Sequence, residues 1–125
     1  MNIPEGYQAV MPYLILKDAE GFIDFTAKIF DAQLLNKHLR EDVHTIMHAE
    51  VNINGSVIMF AESTEQYGVQ TANLFAYVEN ADETFQAALK NGATKVNELA
   101  DLPYGRSGGV KDPNGNTWWI TSVAK

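Results

Sequence analysis

The sequence predicts an α+β fold of two tandem β-α-β-β-β modules, whose curved mixed sheets form a cup with one helix on the outside of each. Three observations predict it. Two stretches have helical period, each preceded by one strand-like run and followed by three. Short residue patterns at the module joints recur at a nearly constant offset. Two tight-turn signals fall at corresponding places in the two halves.

The first strand is expected over 8–17. The helix over 18–30 places Phe22, Phe25 and Ile29 on one face, with Asp24 and Lys28 opposite and Thr26 at the stripe's edge. Asp18 reads as its N-cap, and Gly21 as a weak spot in the first turn. Strands follow over 33–40, 44–53 and 56–62, the last two joined by Asn54-Gly55, a tight hairpin whose central residues both tolerate positive φ. The second half repeats the order. A strand over 72–78 precedes a helix over 81–90, capped by Asn80, with Asp82 and Glu83 at its positive end and Phe85 and Leu89 facing inward. Asn91-Gly92 stops that helix. Strands over 94–98, 104–111 and 117–123 complete the module, with a turn at Asp112-Pro113-Asn114-Gly115.

The repeat is visible in the residues as well. Leu16–Glu20 matches Val78–Asp82 at an offset of 62, Asp31-Ala32 matches Gly92-Ala93 at 61, and Asn54-Gly55 matches Asn114-Gly115 at 60. The 125 residues suit one domain over 1–125, with halves of about 7–62 and 72–125. A core of that size buries roughly two-thirds of the unfolded chain's surface without disulfides, and the chain has no cysteine. Lack of cysteine, and an opening without a basic-then-apolar leader, lead us to expect a cytoplasmic protein. A net charge of −7, from 16 acidic and 9 basic residues, argues against nucleic acid and anionic lipid as partners. It suits cationic ligands, although acidity more commonly serves solubility.

Several of these features resemble the vicinal oxygen chelate superfamily (glyoxalase, bleomycin resistance, extradiol dioxygenase), and within it the PhnB-like group. They are Pro12-Tyr13-Leu14, Met47–Glu50, Tyr77–Glu79, and Tyr104–Gly108 running on to Asp112–Trp119. The last run is the most specific. The resemblance covers nearly the whole chain and implies a paired-module fold, a homodimer in many relatives, and a ligand site in the cup. Metal-dependent members bind a divalent ion there, chelated by the substrate's neighbouring oxygens; others bind drugs such as bleomycin without metal.

The ligand positions that the resemblance implies fall on Met11, Met59, Asn73 and Trp119. Divalent ions prefer carboxylate, carbonyl or imidazole donors, so the family's metal site is expected to be absent, and no cofactor is expected. By strand alternation Met11, Tyr13 and Ile15, Asn73, Phe75 and Tyr77, and Thr117, Trp119 and Thr121 line the cup, while Leu14, Leu16, Leu74, Val78, Trp118 and Ile120 pack on the helices. Such an aromatic cup suits a small aromatic or cationic organic molecule, and equally describes a collapsed aromatic core.

Elsewhere, His48 and Glu50 point to one face, joined by His44 if the strand is regular. The trio could hold zinc. It also reads as the polar side of a half-buried strand, with Met47, Ala49, Val51 and Ile53 inward, which is the commoner arrangement. His38 reads as a surface residue. Catalytic candidates are His48, Glu50 as a base beside it, and Arg106, which can hold a carboxylate or phosphate or form a surface ion pair. Tyr104 is a further polar candidate. The expected ligand-binding set is therefore Met11, Tyr13, Met59, Asn73, Phe75, Tyr104, Arg106 and Trp119. The leading expectation is a metal-free binding protein, with sequestration or resistance, of the superfamily's kind, as the role the resemblance implies. The alternatives are a metal-dependent lyase, isomerase or dioxygenase with a relocated site, or a fold used only for dimerisation or partner binding.

Overall fold

A computed structural model describes residues 1–124. Strand β1 (Tyr13–Leu16) leads into helix α1 (Ala19–Phe30) and strands β2 (Gln33–Leu39), β3 (Ile46–Ile53) and β4 (Ser56–Glu62). Strand β5 (Asn73–Tyr77), helix α2 (Ala81–Lys90) and strands β6 (Thr94–Leu102), β7 (Gly105–Lys111) and β8 (Thr117–Ser122) repeat that order. The sheets run β1-β4-β3-β2 and β5-β8-β7-β6, each with one parallel pair made by the strand before the helix. This is the α+β arrangement of two open, curved four-stranded modules that the sequence predicts.

The anchors have physical causes. The Asp18 carboxylate accepts from the Gly21 N–H at 3.0 Å, and Asn80 accepts from Glu83 N–H at 3.1 Å. A Cβ at Gly21 would meet the capping carboxylate at 2.3 Å, so glycine leaves that cap undisturbed. Asp31 and Gly92 both take positive φ just past their helices. Asn54 and Gly55 both do so in the hairpin. Three strand boundaries differ from expectation. The first strand starts only at Tyr13, the strand after α2 extends to Leu102, and β3 starts at Ile46. The last shift occurs because Asp42 caps a turn, accepting from His44 N–H, Thr45 N–H and the Thr45 hydroxyl, while Val43 takes positive φ.

Helix α1 packs on α2 and on β3 and β4, while α2 packs on β6, β7 and β8. Trp118 of the second sheet lies against Phe22 and Phe30 of α1, so one continuous core joins both halves. Thr26 is buried within that core, its hydroxyl donating to the Phe22 carbonyl at 2.8 Å. The Asp112–Asn116 turn fastens the halves together. Buried Asp112 accepts from the N–H groups of Asn114 and Asn116, the Asn116 side-chain amide and the Trp118 indole. Asn114 in turn pairs with both backbone groups of Asp18, and Asn116 accepts from Ala72 N–H. The most distinctive sequence run is thus a structural clamp. Among the described residues no helix is long and apolar enough to cross a membrane.

Candidate functional site

With the helices and Trp118 sharing the core, the opposite face of each sheet is left open. Register lines up one row of side chains across each. On the first sheet the row is Tyr13, Met59, Glu50 and Asn36; on the second it is Phe75, Trp119, Gly109 and Asn97. The repeat therefore sets Glu50 opposite Gly109 as counterparts.

Glu50 is the hub of the first row, 5% exposed. One carboxylate oxygen accepts from the Tyr7 hydroxyl and from the Asn36 amide at 2.8 Å; the other takes the His48 Nε2–H at 2.7 Å. On the far side of the imidazole, His48 Nδ1 meets the Tyr13 hydroxyl at 3.2 Å. Burial pushes the Glu50 carboxyl up, but the hydrogen bonds from Tyr7, His48 and Asn36 outweigh it and hold it below its ordinary value. The same bond to Glu50 pushes the Tyr7 hydroxyl up. With Glu50 ionised, Nε2 is the His48 nitrogen that donates to it, and Nδ1 is left facing the Tyr13 hydroxyl. The chain Glu50–His48–Tyr13 can hold or pass a proton, and its exposed end is Tyr13. Glu50 itself has both oxygens occupied and is not a free base.

His44 does not join this group. It lies exposed in the turn before β3, so His44, His48 and Glu50, which a regular strand would have brought to one face, do not assemble. Met47 also departs from expectation. Between the His38–His48 and Leu39–Ile46 pairs, β3 carries one extra residue. That bulge flips the alternation, so Ile46 is buried and Met47 is 53% exposed, while Ala49, Val51 and Ile53 stay inward. His38 is exposed on the edge strand β2.

The second row is aromatic. A Cβ at Gly109 would sit 2.6 Å from the Trp119 indole, so the ring packs directly against the glycine. Phe75 packs against Tyr77 and Tyr104, with ring centroids 5.2 and 6.1 Å apart. These three rings are 50%, 65% and 52% exposed. Thr121 is buried instead, hydrogen-bonded to Ser107 at 2.8 Å. Arg106 stands apart from both rows. Its guanidinium pairs with Asp82 at 2.6 Å and Asp101 at 3.3 Å; these carboxylates raise its pKa further, and the guanidinium in turn holds the Asp82 carboxyl below its ordinary value.

The four positions assigned by the resemblance to metal ligands do not suit a divalent ion. Met11 and Met59 offer thioethers, and the Trp119 indole donates to the Asn73 carbonyl oxygen at 3.3 Å, occupying that amide. Thioether and indole are poor ligands for hard or borderline divalent ions. Among the described residues no group of three or more His, Asp or Glu side chains converges as a metal site.

Three residues here escape sequence reasoning. Tyr7 lies in an irregular segment 43 residues from Glu50. Asn36 reaches Glu50 only because Leu35 is an extra residue in β2. Arg40 lines a cavity of about 560 Å³ with Tyr13, Ile15, Met47 and Tyr67. No local pattern marks any of them.

The relatives agree with the fold. The chain is 34% identical over 122 residues to the uncharacterized protein Rv0887c of Mycobacterium tuberculosis, covering 88% of this chain and 71% of that one. Its structure is similar to that of TioX from Micromonospora sp. ML1, with a TM-score of 0.72, 26% identity, and coverage of 94% and 98%. It is similar to a PhnB protein from Bacillus cereus, a putative 3-demethylubiquinone-9 3-methyltransferase, with a TM-score of 0.76, 20% identity, and coverage of 93% and 100%. It is also similar to TnmS3, an antibiotic binding protein from Streptomyces sp. CB03234, with a TM-score of 0.71, 17% identity, and coverage of 94% and 100%. The glyoxalase/bleomycin resistance protein/dioxygenase family profile matches residues 8–120. With the paired modules, their matched register and this near-complete match, the chain belongs to the glyoxalase/bleomycin resistance protein/dioxygenase superfamily.

Proposed function

We propose that this is a metal-free binding member of the superfamily that holds a small organic molecule with a flat, apolar or aromatic body on its open sheet faces. Sequestration is the activity this reading implies. The observation that carries it is the aromatic surface of Phe75, Tyr77 and Tyr104, left open although the chain's core is complete. Clustered exposed aromatics of this kind mark binding surfaces, and their π-faces accept both flat rings and organic cations. The unsuitable donor set at Met11, Met59, Asn73 and Trp119 supports it. The fold is shared with TnmS3, an antibiotic binding protein. We further propose that a second copy of the chain closes the open faces, as the family resemblance implies.

Thermal unfolding with naphthalene and quinolinium probes tests the reading. The expected result is a rise in melting temperature of several degrees that disappears in Phe75→Ala. Elemental analysis and metal add-back form the opposing arm. One zinc, manganese, nickel or iron per chain that stabilises the fold, with no response to any organic probe, would overturn it in favour of a metal-dependent enzyme. Light scattering gives the second copy its own test; a monomer at all concentrations, with ligand present, removes that part.

A further inference from the structure

Just past β2 stands a cation, Arg40, that has no carboxylate partner among the described residues. Acids outnumber bases in this sequence, 16 to 9, and several basic groups are paired. Arg106 has Asp82 and Asp101, Lys37 has Glu20, and Lys95 has Glu98. Arg40 is half-buried and makes no ion pair among the described residues. Its one side-chain bond is from a guanidinium nitrogen to the Glu62 carbonyl oxygen, at 2.7 Å. That bond fixes the head while most of its N–H groups stay unused. The backbone is fixed as well, because Arg40 N–H donates to the Thr45 carbonyl and the Arg40 carbonyl accepts from Val43 N–H.

The cavity of about 560 Å³ beside Arg40 is otherwise mainly apolar, lined by Ile15, Met47, Ala61, Tyr67 and Tyr13. Tyr13 is tied through His48 to Glu50, so that wall is held in place before any ligand arrives. Two carboxylates touch this space. Glu62 directs one oxygen to the Ala19 N–H at the start of α1, at 3.3 Å. Glu65 is exposed on the connector, where water screens it. An unpaired guanidinium at the side of an apolar cavity matches a planar carboxylate on a flat apolar body, with two parallel hydrogen bonds available.

Resting on the binding reading above, we infer that this cavity takes a small aromatic anion, of the aryl carboxylate class, with Arg40 as the group that selects its charge. Titration calorimetry with three probes of one shape tests it: 2-naphthoate, its neutral amide, and the naphthyl trimethylammonium cation. The expected result is that naphthoate binds at least tenfold more tightly than the amide. Arg40→Met should abolish that preference with little change in melting temperature, and Glu65→Gln should tighten naphthoate about twofold by removing a nearby negative charge. If Arg40→Met does not fold, Arg40→Lys serves. It keeps the charge but loses the fork, and should reduce the preference severalfold. Equal binding of naphthoate and amide, or a preference that survives Arg40→Met, overturns the inference. Preference for the cation also overturns it while leaving the binding reading intact. If no probe binds at millimolar concentration, both fall.

Discussion

The two open faces are built on the same register and end in opposite chemistry. On the first, Glu50 gathers Tyr7, Asn36 and His48 into a hydrogen-bonded network that reaches Tyr13. On the second, the counterpart of Glu50 is Gly109, and the space is filled by the Trp119 ring beside an exposed aromatic trio. A duplicated backbone therefore fixes where a side chain stands and not what it does. Glu50 against Gly109, with Met59 against Trp119 beside them, separates a polar network from an aromatic plate. The polar face is also the less complete of the two. Asn36 donates its amide to Glu50, while its own carbonyl oxygen is buried with no partner, the kind of cost met at sites rather than in plain cores.

The clamp that both faces depend on should give the largest effect. Asp112→Ala leaves four donors in or near the core without their acceptor, and is expected to cost about 3–5 kcal/mol in urea unfolding. A loss under 1 kcal/mol would mean that the turn does not join the halves. Gly109→Ala comes next, because the new methyl must displace the Trp119 ring. About 2 kcal/mol is expected from overpacking, together with a shifted Trp emission. An unchanged spectrum would break the proposed contrast with Glu50.

Glu50→Gln should cost about 1–2 kcal/mol at pH 7, through loss of charged hydrogen bonds. Its pH dependence is the sharper check. The Glu50 carboxyl is held below its ordinary value in the folded state, so its contribution is present above the unfolded carboxylate pKa of about 4.3 and is lost as pH falls through the folded value. Wild type and variant should therefore converge in stability on acidification, and a gap that persists at low pH would contradict the network. The smallest effect belongs to Tyr7→Phe, about 1 kcal/mol. That variant should remove the upward shift of the Tyr7 hydroxyl, seen as one fewer tyrosine titrating late in ultraviolet absorbance.

Much of the fold was legible because its signals are local. Asp18 and Asn80 cap helices through contacts three residues long, and Asn54-Gly55 closes a hairpin of its own. His48 and Glu50 were legible as a pair for the same reason, since alternation puts both on one face. Alternation failed at Met47, and His44 fell outside the strand, because a bulge and a capped turn each break the period without leaving a pattern in composition. Arg106 shows the same limit from the other side. Its residue type fits anion binding, but Asp82, 24 residues away, occupies it.

Along the chain itself, periodicity, caps and turn residues settle two repeated modules and their element order. Each of these depends on side-chain chemistry or on residues within one turn of each other. Tertiary structure alone decides that Tyr7 and Asn36 converge on Glu50, that the Asp112 turn locks onto Asp18, and that Arg40 stands beside a cavity with no ion pair among the described residues while Arg106 is neutralised. Those outcomes hang on strand register and on contacts between segments tens of residues apart. A change of one residue in register turns a strand's side chains to the other face, which no local pattern can foresee.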